Sequence, residues 1–132
     1  KNEFFDDYAH HPTEISSILD GINKAYNKRK IITVFEPHRY SRVISLKQAF
    51  SKSFVQSDLV LICPLYAAGE KKNLNFSLFN FAKLISKNSR TQVILVKNQK
   101  ELSTKDLVKE IEKKSLKESK ATKINKKIKK KK

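Results

Sequence analysis

A three-layer α/β domain with a mainly parallel, Rossmann-like sheet is the fold class this sequence of 132 residues predicts. Three observations predict it. Short, continuous apolar runs rich in β-branched residues recur along the chain, as in strands buried on both faces of a parallel sheet. Between them lie stretches whose apolar residues return every three or four positions, as on one face of a helix. The length suits one domain with a real core and is too short for two.

The elements follow in order. "EFF" at 3–5 reads as a first strand, with Lys1 close to its start. Pro12 fits the first turn of a helix, and Ile15, Ile18, Leu19, Ile22, Ala25 and Tyr26 then fall on one helical face. "KIITVFE" at 30–36 is the second strand. Leu46, Ala49, Phe50 and Phe54 mark a helix over 44–54, and "DLVLIC" at 58–63 is the third strand. Leu78, Phe81, Ala82 and Ile85 mark a helix over 76–86, and "QVILV" at 92–96 is the fourth strand. Leu107, Val108 and Ile111 mark a last helix over 103–114. The alternation β-α-β-α-β-α-β-α calls for parallel strands joined by helical crossovers.

The net charge of +16 suggests a polyanion partner until its distribution is read. Residues 115–132 hold nine lysines and one glutamate, so half the excess lies in the last 18 residues. That stretch lacks an apolar stripe and reads as a disordered tail. The domain proper is then 1–114, and it is only moderately basic.

Cys63 is the only cysteine, which excludes an internal disulfide and a cysteine-based zinc site. It sits in "LVLIC", where a buried, inert thiol is expected. No run approaches the roughly 20 apolar residues of a membrane span, and no signal peptide is visible. The reading is cytoplasmic, and the start at Lys1 without a methionine reads as a piece of a longer protein. With two glycines, Gly21 and Gly69, and no GKS or GKT, the chain has no phosphate-cradling loop of its own.

Polar residues gather in three loops that follow strand ends: "DDYAHHP" at 6–12, "PHRYSRV" at 37–43 and "PLYAAGEKKNLN" at 64–75. In a parallel sheet such loops open on one edge, where ligands bind. Asp6, Asp7, His10 and His11 invite a metal-site reading. Adjacent residues leaving a strand point in different directions, however, and no further His or Cys completes a shell. Acid/base chemistry, or a rim that holds a charged substrate, are the other readings. His11 can also serve near a helix cap, and Glu14 can complement a helix dipole. Arg39 and Arg42, three apart on a loop leaving a buried strand, are suited to fork onto a carboxylate or phosphate.

Taken together, "DDYAHHPTEI", "FEPHRYSR" and "YAAGE" resemble the C-terminal domain of the Mur ligase family over about residues 3–100. Within the family they are most similar to the branch that joins L-alanine to UDP-N-acetylmuramate in peptidoglycan precursor synthesis. The D-Y-A-H element is shared loosely, also with folylpolyglutamate synthases, whereas HHPTE with PHRYSR is specific. The resemblance implies a three-domain ligase whose N-terminal and central domains are absent from this chain. ATP and Mg²⁺ would be held mainly by the central domain. ATP would phosphorylate the lactyl carboxylate, and the amine of L-alanine would attack the acyl phosphate. Carried over position by position, Asp7 matches the aspartate that reaches the ATP ribose. Tyr8, His10, Arg39 and Arg42 match positions lining the alanine and acyl-phosphate end of the cleft. The arginines would bind the alanine carboxylate and the charge developing on the transferred group. His10 would orient the amine or accept its proton, with the orienting role preferred. Tyr66 and Glu70 match a loop whose role the resemblance leaves open. Family members continue after the 102–114 helix with another strand and a G-A-G-x-I turn into a helix. Here "KESKATKINKKIKKKK" stands in that place, so the sheet is expected to miss its last strand and helix.

Two other functions compete with an inactive ligase fragment. A nucleic-acid-binding module would act through the lysine tail and lose affinity steeply with salt. A free-standing phosphate-ester enzyme would use the aspartates and histidines of 6–11. A GKT or GKS segment encoded upstream of Lys1 would decide for the ligase.

Overall fold

The computed structural model describes residues 2–97. Helix α1, Pro12–Ala25, starts on its proline, whose missing N–H is among the donors a helix start leaves unpaired in any case. Its buried face carries Ile15 and Leu19. Strand β1 is Ile32–Phe35, and two short helices follow, α2 at Tyr40–Ser45 and α3 at Lys47–Ser51. Strand β2 is Leu59–Ile62, helix α4 is Leu78–Ser89, and strand β3 is Gln92–Leu95.

The sheet runs β1-β2-β3 with every pairing parallel. Thr33 lies opposite Val60, which lies opposite Val93, and Phe35 lies opposite Ile62, which lies opposite Leu95. Strand side chains alternate in direction, so these positions share one face. Phe35, Val60, Ile62, Val93 and Leu95 of that face, together with Ile31, meet Ile15, Leu19, Val43, Phe50, Phe81, Ala82 and Ile85 in a single apolar cluster. Phe50, Phe54 and Phe81 are at most 1% exposed. Phe35 lies 5.7 Å from Phe50 and 5.2 Å from Phe54, centroid to centroid, which places aromatic packing at the centre. On the opposite face Leu59 and Leu61 of the middle strand are buried, while Ile32 and Val34 of β1 are 42% and 51% exposed.

Buried hydroxyls join the end of α4 to the end of α3, and the residues ahead of β3 to those ahead of β2. The Ser89 hydroxyl donates to the Ser51 carbonyl (2.6 Å) and accepts from the Phe54 amide (3.1 Å). Thr91 donates to the Ser57 carbonyl at 2.7 Å. Each satisfies polar backbone that would otherwise be buried unpaired.

The α/β class and the parallel sheet agree with the sequence, and the strands are one to three residues shorter than expected. Two elements differ. Residues 3–5 form no strand, because they have no ladder partner. Phe4 and Phe5 stay exposed, while Glu3 reaches Arg29 (3.4 Å) and the Phe5 ring meets Tyr26 (5.6 Å). The single helix expected over 44–54 starts earlier and divides at Leu46, whose φ and ψ are −109° and 19°. Val43 and Ile44 are β-branched, and the Ser45 hydroxyl donates to the Arg42 carbonyl at 3.3 Å, both of which loosen a helix there. The expected helix at 103–114, the tail from 115 and the missing last strand concern residues outside the described span.

Candidate substrate-binding site

The polar residues singled out by the sequence fall into two clusters. The first is local and precedes α1. The Asp7 carboxylate accepts the Ala9 amide at 2.8 Å, an Asx turn that bends the chain toward the helix. The Tyr8 side chain is 88% exposed. Its carbonyl lies 2.9 Å from His10 Nδ1, and its ring meets the His10 ring edge-on at 5.6 Å. Glu14, in the first turn of α1, reaches back. Its Oε2 accepts the backbone amides of His10 (3.0 Å) and His11 (3.4 Å) and lies 3.6 Å from His10 Nδ1. The His10 amide foremost, with the His11 amide, holds the Glu14 carboxyl below its ordinary value, and desolvation opposes them. Glu14 thus acts as a cap that sets the direction of the histidine pair.

The second cluster joins two strand-to-helix loops at the carboxyl edge of the sheet. His38 and Tyr66 form a parallel bridge just past β1 and β2. The Arg39 amide donates to the Tyr66 carbonyl and the Tyr66 amide to the Pro37 carbonyl, each at 2.8 Å. The His38 and Tyr66 rings lie 5.1 Å apart, and His38 Nδ1 is 3.4 Å from Arg42 Nη1. Arg39 is the N-cap of α2 at φ 66° and ψ 128°, a conformation non-glycine residues avoid and that persists only when neighbours impose it. Its side chain is exposed, and that of Arg42 is half-buried one turn on.

An arginine cap offers no acceptor to the first amides of α2, and no side-chain bond caps this helix from its N-cap. Glu70 supplies the acceptor from the other loop. Its Oε2 takes the Ser41 amide at 3.1 Å, and its Oε1 takes the Ser41 hydroxyl. A tight turn aims it there: the Glu70 amide donates to the Ala67 carbonyl (3.1 Å), with Ala68 and Gly69 at φ 53° and 88°. The Ser41 hydroxyl first, then the Ser41 amide, hold the Glu70 carboxyl below its ordinary value. Desolvation opposes them, and the Arg39 charge and Tyr40 amide add to the lowering.

Asp7, Tyr8 and His10 therefore occupy the first cluster, and Arg39 and Arg42 the second. His38, Ser41 and Glu70 are the further residues that build the second. Their signal in the sequence was faint: a serine in the first turn after an arginine cap, and an acidic residue straight after a glycine turn.

Cys63 is buried, and desolvation pushes its thiol up, as suits an inert core position. Among the described residues no three His, Cys, Asp or Glu side chains gather to hold a metal ion. No described helix is long and apolar enough to cross a membrane.

The family model described as Mur ligase, glutamate ligase domain, matches residues 1–128. The chain belongs to the Mur ligase family. It is 48% identical over 103 residues to a UDP-N-acetylmuramate–L-alanine ligase of Pelagibacter ubique, covering 78% of this chain and 22% of that one. It is 50% identical over 66 residues to the ligase of the same name from Desulfatibacillum aliphaticivorans, covering 50% and 14%. The chain thus spans about a fifth or less of these curated relatives. In fold it is similar to a murein peptide ligase from Psychrobacter arcticus, with a TM-score of 0.52 at 22% identity over 81% of this chain and 21% of that one.

Proposed function

We propose that this chain is the C-terminal, substrate-clamping part of an ATP-dependent ligase that joins L-alanine to UDP-N-acetylmuramate, and that it is inactive by itself. One observation carries the reading. The loop that carries Arg39 and Arg42 is locked onto a second loop at the carboxyl edge of the sheet, the edge at which parallel sheets bind ligands, and this supports a role for both arginines there. Support also comes from the names of the Pelagibacter and Desulfatibacillum relatives.

In this reading ATP, with Mg²⁺, would activate the lactyl carboxylate, and the parts of the ligase outside this chain would hold most of both. The described residues contribute orientation and charge. Arg39 and Arg42 fork onto the carboxylate of L-alanine and onto charge that builds up on the transferred group. His10, held by the Tyr8 carbonyl and the Glu14 carboxylate, aims a ring nitrogen at the incoming amine and positions it. Asp7 takes the nucleotide ribose, and Tyr8 lines the entrance. The reading goes with a cytoplasmic enzyme of peptidoglycan precursor synthesis.

The test joins this chain to the preceding part of the Pelagibacter ligase, in place of that enzyme's own matching segment. We expect ADP release that depends on both L-alanine and UDP-N-acetylmuramate, and none from the 132-residue chain alone. A folded chimera that accepts a different amino acid in preference would overturn the substrate assignment, and ATP turnover by the isolated chain would overturn the division of labour.

A further inference from the structure

The geometry points to Glu70 as the positioning residue of the arginine loop: it holds the start of α2 so that Arg39 and Arg42 face the ligand. The inference rests on the reading above and adds a residue to which that reading gives no role.

Three observations lead to it. The left-handed backbone at Arg39 has to be imposed from outside, since an arginine gains nothing there by itself. The bridge between His38 and Tyr66 fixes the chain before Arg39, and the Glu70 carboxylate fixes it after, through both polar groups of Ser41. Arg39 is thus pinned on both sides while its side chain stays exposed. A carboxylate is also the acceptor best suited to a helix start that has no cap of its own, because the aligned amides carry partial positive charge. The second point concerns competition. With both Glu70 oxygens bonded to Ser41, the carboxylate is engaged by the loop. It lies near enough to Arg39 for the charge to be felt, yet the Ser41 hydroxyl and then the Ser41 amide outweigh the arginine in holding its carboxyl below the ordinary value. Glu70 therefore shapes the arginine loop and leaves its guanidinium groups for a ligand carboxylate.

The test has two parts. In the 132-residue chain, the Ser41 amide is followed by NMR as pH falls. The wild-type signal should titrate with a midpoint below the ordinary carboxylate value of 4.5, and Glu70→Gln should abolish that titration. In the chimeric ligase, Glu70→Ala should raise KM for L-alanine about tenfold or lower kcat comparably, as loop misplacement does, with KM for ATP unchanged. Glu70→Gln keeps one acceptor oxygen and should recover part of the loss. Ser41→Ala combined with Glu70→Ala should add little to Glu70→Ala alone, because both act through one contact. Wild-type alanine kinetics in Glu70→Ala, beside an impaired Arg42→Lys, would overturn the inference and leave the proposed function standing. Equal losses in every kinetic constant together with a lowered Tm would overturn it too, in favour of a purely structural glutamate. Unaltered alanine kinetics in Arg42→Lys itself would instead overturn the proposed function.

Discussion

The two polar clusters differ in how they are held. Around Asp7–Glu14 every hydrogen bond spans two to four residues: Asp7 to Ala9, His10 to Tyr8, Glu14 to His10 and His11. Around Arg39 the bonds that matter reach from one loop to another, and Ser41 and Glu70 are 29 positions apart. The first cluster is built by the chain's local chemistry at a helix start. The second exists only once β1 and β2 are paired in register. A site residue on the first can be placed from sequence, whereas the shape of the second depends on the fold.

This difference predicts how each cluster breaks. The largest effect should come from the shared scaffold. Phe50→Ala empties a fully buried ring site and should cost about 3–5 kcal/mol in denaturant unfolding of the chain, and with it the His38–Tyr66 bridge, while the local Glu14 cap partly survives. Equal loss of both clusters' NMR signatures would show that the first is no more local than the second. Next, Gly69→Val forces a β-branched residue to a φ of 88°. The added Cβ meets no atom within 4 Å, so the effect is backbone strain. It should withdraw Glu70 and raise amide exchange at Ser41, with exchange at His10 and His11 unaltered. The smallest effect should be Glu14→Ala, which removes an exposed cap: a slight fall in Tm and faster exchange of the His10 and His11 amides, with Ser41 unmoved.

Acid should loosen both clusters in the same direction. Glu14 and Glu70 have lowered folded-state pKa values. Each therefore contributes stability that is present above the ordinary value of 4.5 and is lost as pH falls through its depressed folded value. Titration of the His10 and Ser41 amides should show both midpoints below 4.5. A midpoint above it for either would mean that the hydrogen bonds to that carboxylate are absent in solution.

Much of the fold was legible because it rests on composition and period. The β-branched runs at 30–36, 58–63 and 92–96 became β1, β2 and β3, and the spacing from Ile15 to Tyr26 marked α1. What failed was of another kind. "EFF" looked like a strand, but apolar residues make a strand only beside a partner, which no local pattern encodes. The division of the 44–54 helix depended on a backbone setting at Leu46 that its neighbours' β-branching only hinted at. At the site, Asp7, Tyr8, His10, Arg39 and Arg42 stood out as ionisable residues crowded into loops. Ser41 did not, and Glu70 stood in a loop without an assignable role, since their significance lies in a contact between loops distant in sequence.

In the proposed function the arginine loop serves the amino acid and the Asp7 segment serves the nucleotide. The most direct test compares Arg42→Lys with Asp7→Ala in the chimeric ligase. Lysine keeps the charge and removes the bidentate fork, a loss of about 2–4 kcal/mol of transition-state binding. Arg42→Lys should raise KM for L-alanine or lower kcat with KM for ATP unchanged, and Asp7→Ala should raise KM for ATP. An Arg42→Lys enzyme with weakened ATP binding and intact alanine kinetics would contradict the assignment.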